Sequence, residues 1–226
     1  TARHYYYAQG KQEKYYIISF SGAFHGRTLG SLAATGRAKY SIGFGPDCAG
    51  FKKFSLETSK QELETALYDM AQKTAAIIIE PIQGEGGINV ISNDFLQFLR
   101  NFCTENDILL IFDEIQTGIG RTGTLFAYEQ TGVIPDIMTL AKGLGGGFPI
   151  SACLCGKEIA TDMKPGTHGA TFGGNFLATT AANAVLDIVA EPNFLNQVKI
   201  QSNFLRSGLQ ELTNKFSNII NNLQGR

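Results

Sequence analysis

The chain has 226 residues, 43% of them apolar, enough to bury the core of one large domain or two small ones. Its 19 basic residues oppose 20 acidic ones, for a formal net charge of -1, and neither sign forms a block. That balance speaks against a nucleic-acid footprint or an anionic membrane surface, and leaves small neutral or zwitterionic ligands as the expected partners.

The apolar runs predict elements in chain order. A strand is expected over 15–20, then a helix over 60–71 with Ser59 as N-cap, a strand over 75–79 and a helix over 93–105 with Asn93 as N-cap. Strands follow over 108–112, 137–140 and 150–155, and a helix over 175–189 stops near Pro192. Strands alternating with helices of this length predict an α/β fold with a mostly parallel sheet. Beyond Pro192, Leu195, Val198, Leu205, Leu209, Leu212, Phe216, Ile219 and Leu223 form one apolar stripe, expected on a long helix packed against its own protein. The stripe lacks the flanking charge pairs of a coiled coil.

The four cysteines, Cys48, Cys103, Cys153 and Cys155, contain no CxxC pair, and the histidines His4, His25 and His168 lack ligand spacing, so no metal site is expected. Cys153 and Cys155 share a strand face and are expected to be buried apolar side chains in a reducing compartment. No apolar stretch reaches the ~18 residues of a membrane span. Thr1-Ala2-Arg3-His4 has no signal-peptide core, and the expected address is the cytoplasm.

Two strand ends carry chemistry. Ile111-Phe112-Asp113-Glu114 could belong to a nucleotide hydrolase, but the nearest phosphate-loop candidate, 151–158, has Ser151 in place of the first glycine and Glu158 in place of the final hydroxyl. That reading fails. Lys142 ends the run Ile137-Met138-Thr139-Leu140-Ala141 and opens a glycine loop over 143–147, which could be a phosphate cradle or a plain turn. A desolvated lysine offers a neutral amine to an aldehyde, and a carboxylate such as Asp113 can keep a pyridine nitrogen protonated. Pyridoxal phosphate is the cofactor that uses both. Taken singly, Asp113 could equally cap a helix and Lys142 could be a solvated loop lysine.

On these residues the chain resembles the class III pyridoxal-phosphate aminotransferases of fold type I, and within them the acetylornithine aminotransferase branch. The resemblance is carried by GAFHGRTLGSLAATG at 22–36, GFGP at 43–46, IIEPIQGEGG at 78–87, LLIFDEIQTGIGRTGTLFAYE at 109–129, PDIMTLAKGLGGGFP at 135–149 and PGTHGATFGGN at 165–175. It implies that Lys142 is the Schiff-base lysine and proton shuttle, Asp113 the pyridinium partner, and Gln116 the donor to the cofactor's phenolic oxygen. Phe24 would stack on the ring and Arg27 would take the substrate α-carboxylate. Thr171 would reach the cofactor phosphate of a neighbouring subunit in a homodimer. Glu85 would be a gate, neutralising a second arginine until a dicarboxylate arrives. Glu80 would line the site as a structural carboxylate, and His25 would position rather than transfer protons.

The implied reaction moves the amino group of N-acetylornithine to 2-oxoglutarate, with ornithine, succinylornithine and 4-aminobutyrate as neighbouring donor classes. Ala170 stands where the branch often has a hydroxyl, which bears on the choice of donor. Against the resemblance, residues 1–192 are expected to be part of a large cofactor-binding domain, and 193–226 a helix leading toward a small domain that the chain lacks. The phosphate-gripping loop is expected to be missing too. A chain of that kind would bind cofactor weakly and turn over little by itself, and could be a non-catalytic remnant.

Overall fold

A computed structural model describes residues 1–225. The chain order is α1 (Ala2–Ala8), β1 (Tyr16–Phe20), α2 (Leu29–Ala34), β2 (Phe51–Phe54), α3 (Lys60–Met70), β3 (Thr74–Ile79), β4 (Ile82–Gln83) and β5 (Asn89–Val90). It continues with α4 (Asn93–Glu105), β6 (Leu109–Asp113), β7 (Ile137–Leu140), β8 (Ala152–Cys155), α5 (Lys157–Thr161), α6 (Phe176–Val189) and α7 (Pro192–Lys215).

Six strands form one sheet in the order β2-β1-β3-β6-β7-β8, parallel throughout except for the antiparallel β8 at the edge. The middle strands are apolar on both faces because helices cover both. On β6, Leu110 and Phe112 face α3 and α4, packing with Leu63, Leu67, Leu96, Leu99 and Phe102. Leu109 and Ile111 alternate to the other face, where Ala2 and Tyr6 of α1 meet Ile137 of β7. The period of two along a strand thus divides one apolar run between two cores.

The predicted strands hold to within two residues at their ends, and α3 and α4 form where expected. Ser59 caps α3, accepting from the Glu62 amide. The cap of α4 differs: Ser92, not Asn93, accepts from the Phe95 amide at 3.2 Å, and Asn93 is the first helical residue. Strand β2, Phe-Lys-Lys-Phe, escaped the pattern because it lies at the sheet edge with both lysines in solvent.

The expected burial of Cys153 and Cys155 does not hold. Cys153 is exposed and Cys155 half-buried, because β8 is also an edge strand with little covering it. The long stripe is likewise only partly used. Leu195 packs beside Gly120 and the Lys199 stem lies beside Gly123, but Leu205, Leu209 and Leu212 are exposed and no residue of α7 is fully buried. Helix α7 ends at Lys215, so Phe216, Ile219 and Leu223 lie beyond it. Among the described residues no helix is long and apolar enough to cross a membrane.

Register places the site. Asp113, the last residue of β6, pairs with Thr139 of β7, and Ile79 of β3 pairs with Phe112. Glu80, Asp113 and Lys142 therefore leave the carboxyl ends of three adjacent parallel strands, the edge at which such sheets bind ligands.

Candidate active site

Asp113 is 4% exposed, and both oxygens of its carboxylate are hydrogen-bonded, Oδ2 to a single partner. One oxygen accepts from His25 Nδ1 at 2.8 Å; the other accepts from the Ile115 amide and the Thr139 hydroxyl, each at 3.1 Å. A proton on Nδ1 leaves Nε2 of His25 as the free nitrogen, and that atom is buried without a hydrogen-bond partner among the described residues. The loop carrying His25 is fixed in turn: Thr35 Oγ1 accepts from the His25 amide at 3.0 Å and donates to the Ser31 carbonyl at 3.0 Å.

Glu114, next to Asp113, is fully buried and faces away from it. It accepts from the amides of Ala127 and Tyr128 at 2.7 and 2.8 Å and from the Thr117 hydroxyl at 2.9 Å. These bonds close the 114–128 loop on itself and fix Gln116 within it. The amide nitrogen of Gln116 is buried without a partner among the described residues, and the side chain lies where a Cβ on Gly84 would collide with it. An unpaired buried N–H donor costs about 1–3 kcal/mol, so this arrangement suits an acceptor arriving from outside.

Lys142 follows β7 at the head of a short turn, Lys142–Gly145, closed by left-handed Gly146. Its own φ is 42°, a conformation uncommon for a residue with a side chain. Lys142 is exposed, whereas the sequence suggested a desolvated amine; the glycines around it have no side chains with which to cover it. Lys142, Gln116 and Thr117 border a cleft of about 1040 Å³, while Asp113, His25 and Thr139 border a second cavity of about 370 Å³. Ile115 lines both cavities and stands between them. Glu80 lies within electrostatic reach of both Asp113 and Lys142.

The other expected site residues are distributed unevenly. Phe24 is half-buried, its amide donating to Glu80 Oε2 at 3.4 Å and its ring meeting Tyr40 edge-on at 5.6 Å between centroids. Arg27 is exposed over the Tyr40 ring. Glu85 is exposed on the turn joining β4 to β5, and its carbonyl accepts from Arg37. Ala170 and Thr171 sit in an exposed loop before α6 and are not brought to Lys142 or Asp113. Sequence reasoning missed Thr139, Tyr40 and Arg37. Only Thr139 left a signal, a hydroxyl residue within an otherwise apolar strand run.

The Aminotransferase class-III family pattern matches residues 1–226. The chain belongs to the class-III aminotransferases. It is 50% identical to the acetylornithine aminotransferase of Agrobacterium fabrum over 225 residues, 100% of this chain and 55% of that protein. It is 49% identical to acetylornithine aminotransferase 1 of Bradyrhizobium diazoefficiens over 99% of this chain and 54% of that protein. Among solved structures, the N-acetylornithine aminotransferase of Stenotrophomonas maltophilia aligns with a TM-score of 0.79 and 37% identity, over 100% of this chain and 52% of that one. An amine transaminase from an uncultivated Pseudomonas species, in a PLP-bound form, aligns with a TM-score of 0.87 and 33% identity, over 96% of this chain and 55% of that one. The chain thus spans about half the length of the relatives it matches.

Two expected outcomes concern the surroundings of this class-III site. Glu80 is 3% exposed, and burial, then the nearby Asp113 charge, pushes its carboxyl up to about 8. The Phe24 amide and Lys142 pull it the other way. The folded chain therefore holds this proton more tightly than the unfolded chain does. The associated stabilisation is fully present below about pH 4.5 and is lost as pH rises through about 8. Denaturant midpoints measured across that window should fall with pH in the native chain and fall less steeply in Glu80→Gln. Glu114, also raised by burial, leaves a residual slope.

Gly84→Ala should displace Gln116, whose side-chain amide occupies the space a methyl would need. The obstacle is the end of a flexible side chain, so folding should change little. A hydrogen bond from Gln116 to an incoming ligand would be worth about 0.5–1.5 kcal/mol, so its loss would cost roughly 2- to 12-fold in affinity. Titrating Gly84→Ala, Gln116→Ala and the double variant with pyridoxal phosphate should give non-additive losses, because both substitutions remove the same contact.

Proposed function

We propose that the protein is a pyridoxal-phosphate-dependent transaminase that moves the amino group of N-acetylornithine, or a similar ω-amine donor, to 2-oxoglutarate, releasing a semialdehyde and glutamate. The observation that carries this reading is the pair of functional strand ends: the His25-supported carboxylate of Asp113 closes β6, and Lys142 follows the adjacent β7. The relatives named for that activity, at up to 50% identity, support the choice of substrate.

The residues fit the cofactor. A flat heterocycle with a basic ring nitrogen and a phenolic oxygen would use the Asp113 carboxylate and the unpartnered Gln116 amide, with Phe24 beside them as an apolar plate. When bound, the cofactor supplies the electron sink that makes the substrate carbon acidic. The protein supplies placement and protons. Asp113 keeps a proton on the ring nitrogen, and His25 fixes the orientation of that carboxylate. The Lys142 amine would hold the cofactor and would carry the proton from the substrate carbon. Arg27 takes the α-carboxylate through its paired N–H donors. Glu85, on its exposed turn, answers a cationic partner when the monocarboxylate donor is bound and releases it for the dicarboxylate. Thr171, exposed before α6, serves the phosphate of a neighbouring subunit in a homodimer. Ala170 offers the donor no hydroxyl.

In this reading residues 1–192 carry the cofactor-binding domain, the segment after it, helical to Lys215, leads away from that domain, and the enzyme works in the cytoplasm. Supplying N-acetylornithine, 2-oxoglutarate and saturating pyridoxal phosphate should yield glutamate in proportion to the semialdehyde formed, slowly, because a chain spanning about half of its relatives is expected to bind the cofactor weakly. Glutamate no higher than in a protein-free control would contradict the proposal.

A further inference from the structure

Arg27 has an unusual setting for a residue whose task is to grip a carboxylate. It is exposed, and among the described residues its side chain makes no hydrogen bond or ion pair with another residue. A free guanidinium on a flexible stem loses rotamer entropy when a ligand orders it. What restrains Arg27 is aromatic. Its guanidinium carbon lies 4.2 Å from the centroid of the Tyr40 ring and 5.5 Å from that of Phe24, and the two rings meet edge-on at 5.6 Å.

The backbone beneath is fixed as well. Gly26 takes φ 131°, and its carbonyl lies 3.3 Å from the Thr35 hydroxyl, whose proton it shares with the Ser31 carbonyl, which ties down the backbone just before Arg27. Tyr40 reaches the pair from a separate turn, Ala38–Tyr40, and is half-buried there. A cation over a ring face is attracted by the ring quadrupole and keeps its N–H donors for other partners, unlike a cation restrained by a carboxylate.

We propose that Tyr40 is a positioning residue for substrate carboxylate binding: its ring holds the Arg27 guanidinium beside Phe24, ordered but with its donors free. This rests on the transaminase reading of Arg27 and adds the group that orients it. The ring performs the task and the hydroxyl does not. One aromatic side chain thereby couples the carboxylate clamp to the plate that faces the cofactor, so disturbing it shifts substrate affinity more than the chemistry. Lys39, whose ammonium lies 5.1 Å from the same ring centroid, is a second cation there and serves as the control for general surface charge.

The test uses the full chain and its Tyr40→Phe, Tyr40→Leu and Lys39→Gln variants, with thermal unfolding confirming that each folds. NMR of the Arg27 Nε–Hε group, assigned by its loss in Arg27→Lys, reports the ring directly. The proton should resonate upfield in the native chain and Tyr40→Phe, and move downfield in Tyr40→Leu. Titration with 2-oxoglutarate should show the dissociation constant raised about two- to fivefold in Tyr40→Leu and unchanged in Tyr40→Phe and Lys39→Gln. With pyridoxal phosphate and both substrates present, that loss should fall on KM, with kcat held. An Arg27 resonance indifferent to Tyr40→Leu, or a Tyr40→Phe variant as impaired as Tyr40→Leu, would overturn the proposal. If the resonance depends on the ring but does not respond to 2-oxoglutarate in the native chain, the transaminase reading of Arg27 fails instead, and the role of Tyr40 in carboxylate binding falls with it.

Discussion

Lys142→Ala should abolish amino transfer, lowering the rate by on the order of 10⁴-fold, the upper end of what a single positioned acid–base group contributes, because in the proposed mechanism the same amine also anchors the cofactor. Folding should be almost untouched. Lys142 is exposed, so alanine exposes no core, and any change should stay within ~0.5 kcal/mol. Alanine at φ 42° keeps the backbone strain, whereas glycine relieves it; Lys142→Gly should therefore be as inactive as alanine but more stable, by about 1 kcal/mol. Glutamate formation and denaturant midpoints, measured together on both variants, separate a chemical role from a structural one. A lysine held in a strained conformation at a strand end, with stability improving on its removal, is the pattern expected where placement matters more than folding.

The second large effect is expected for Asp113→Asn. An opposite charge within hydrogen-bonding distance shifts a titrating partner by about 1–3 pKa units, so a neutral amide should reduce the population of protonated cofactor ring by roughly 10- to 10³-fold, and the rate with it. Asparagine is nearly the same shape. Its oxygen can still accept from the Ile115 amide and the Thr139 hydroxyl, which Asp113 binds at 3.1 Å. Toward His25 the amide NH2 donates instead of accepting, which the imidazole meets by moving its proton from Nδ1 to Nε2, and Asp113→Asn should lose less stability than Asp113→Ala. The alanine variant leaves three donors unmet in a buried place, at a cost of about 3–5 kcal/mol. Rates compared with chemical denaturation for the two variants check both halves. An asparagine variant with near-native turnover would remove Asp113 from the mechanism.

The middle of the fold was legible because physics leaves few choices there. Strands covered on both faces must be apolar along their whole length, so β3, β6 and β7 declared themselves, and with them the strand ends that carry Glu80, Asp113 and Lys142. Edge strands obey no such rule, so β2 passed unnoticed with its two lysines, and β8 carries Cys153 into solvent although its apolar run suggested burial. The shift of the α4 cap from Asn93 to Ser92 reflects two good capping residues side by side, between which composition does not choose. An apolar stripe establishes a face and not what meets it, which is why α7 packs only at its first turns.

Within the site, the residues the sequence pointed to were those whose chemistry is rare at strand ends. Their supports are ordinary residues that distant segments bring together: Thr139 reaches Asp113 across a strand pair, Thr35 accepts from the His25 amide, and Tyr40 meets Arg27 from another turn. Spacing along the chain encodes none of these meetings. The open position of Lys142 was equally illegible, since glycine runs announce a turn without saying how much they leave uncovered.

In the proposed mechanism Lys142 and Asp113 serve one ring although they border different cavities, with Ile115 between them. A crystal structure of the protein with pyridoxal phosphate tests it most directly. The cofactor should be covalently joined to Lys142 Nζ, with its ring nitrogen about 2.7–2.9 Å from an Asp113 carboxylate oxygen. A cofactor attached to another lysine, or one on Lys142 whose ring points away from Asp113, would contradict it.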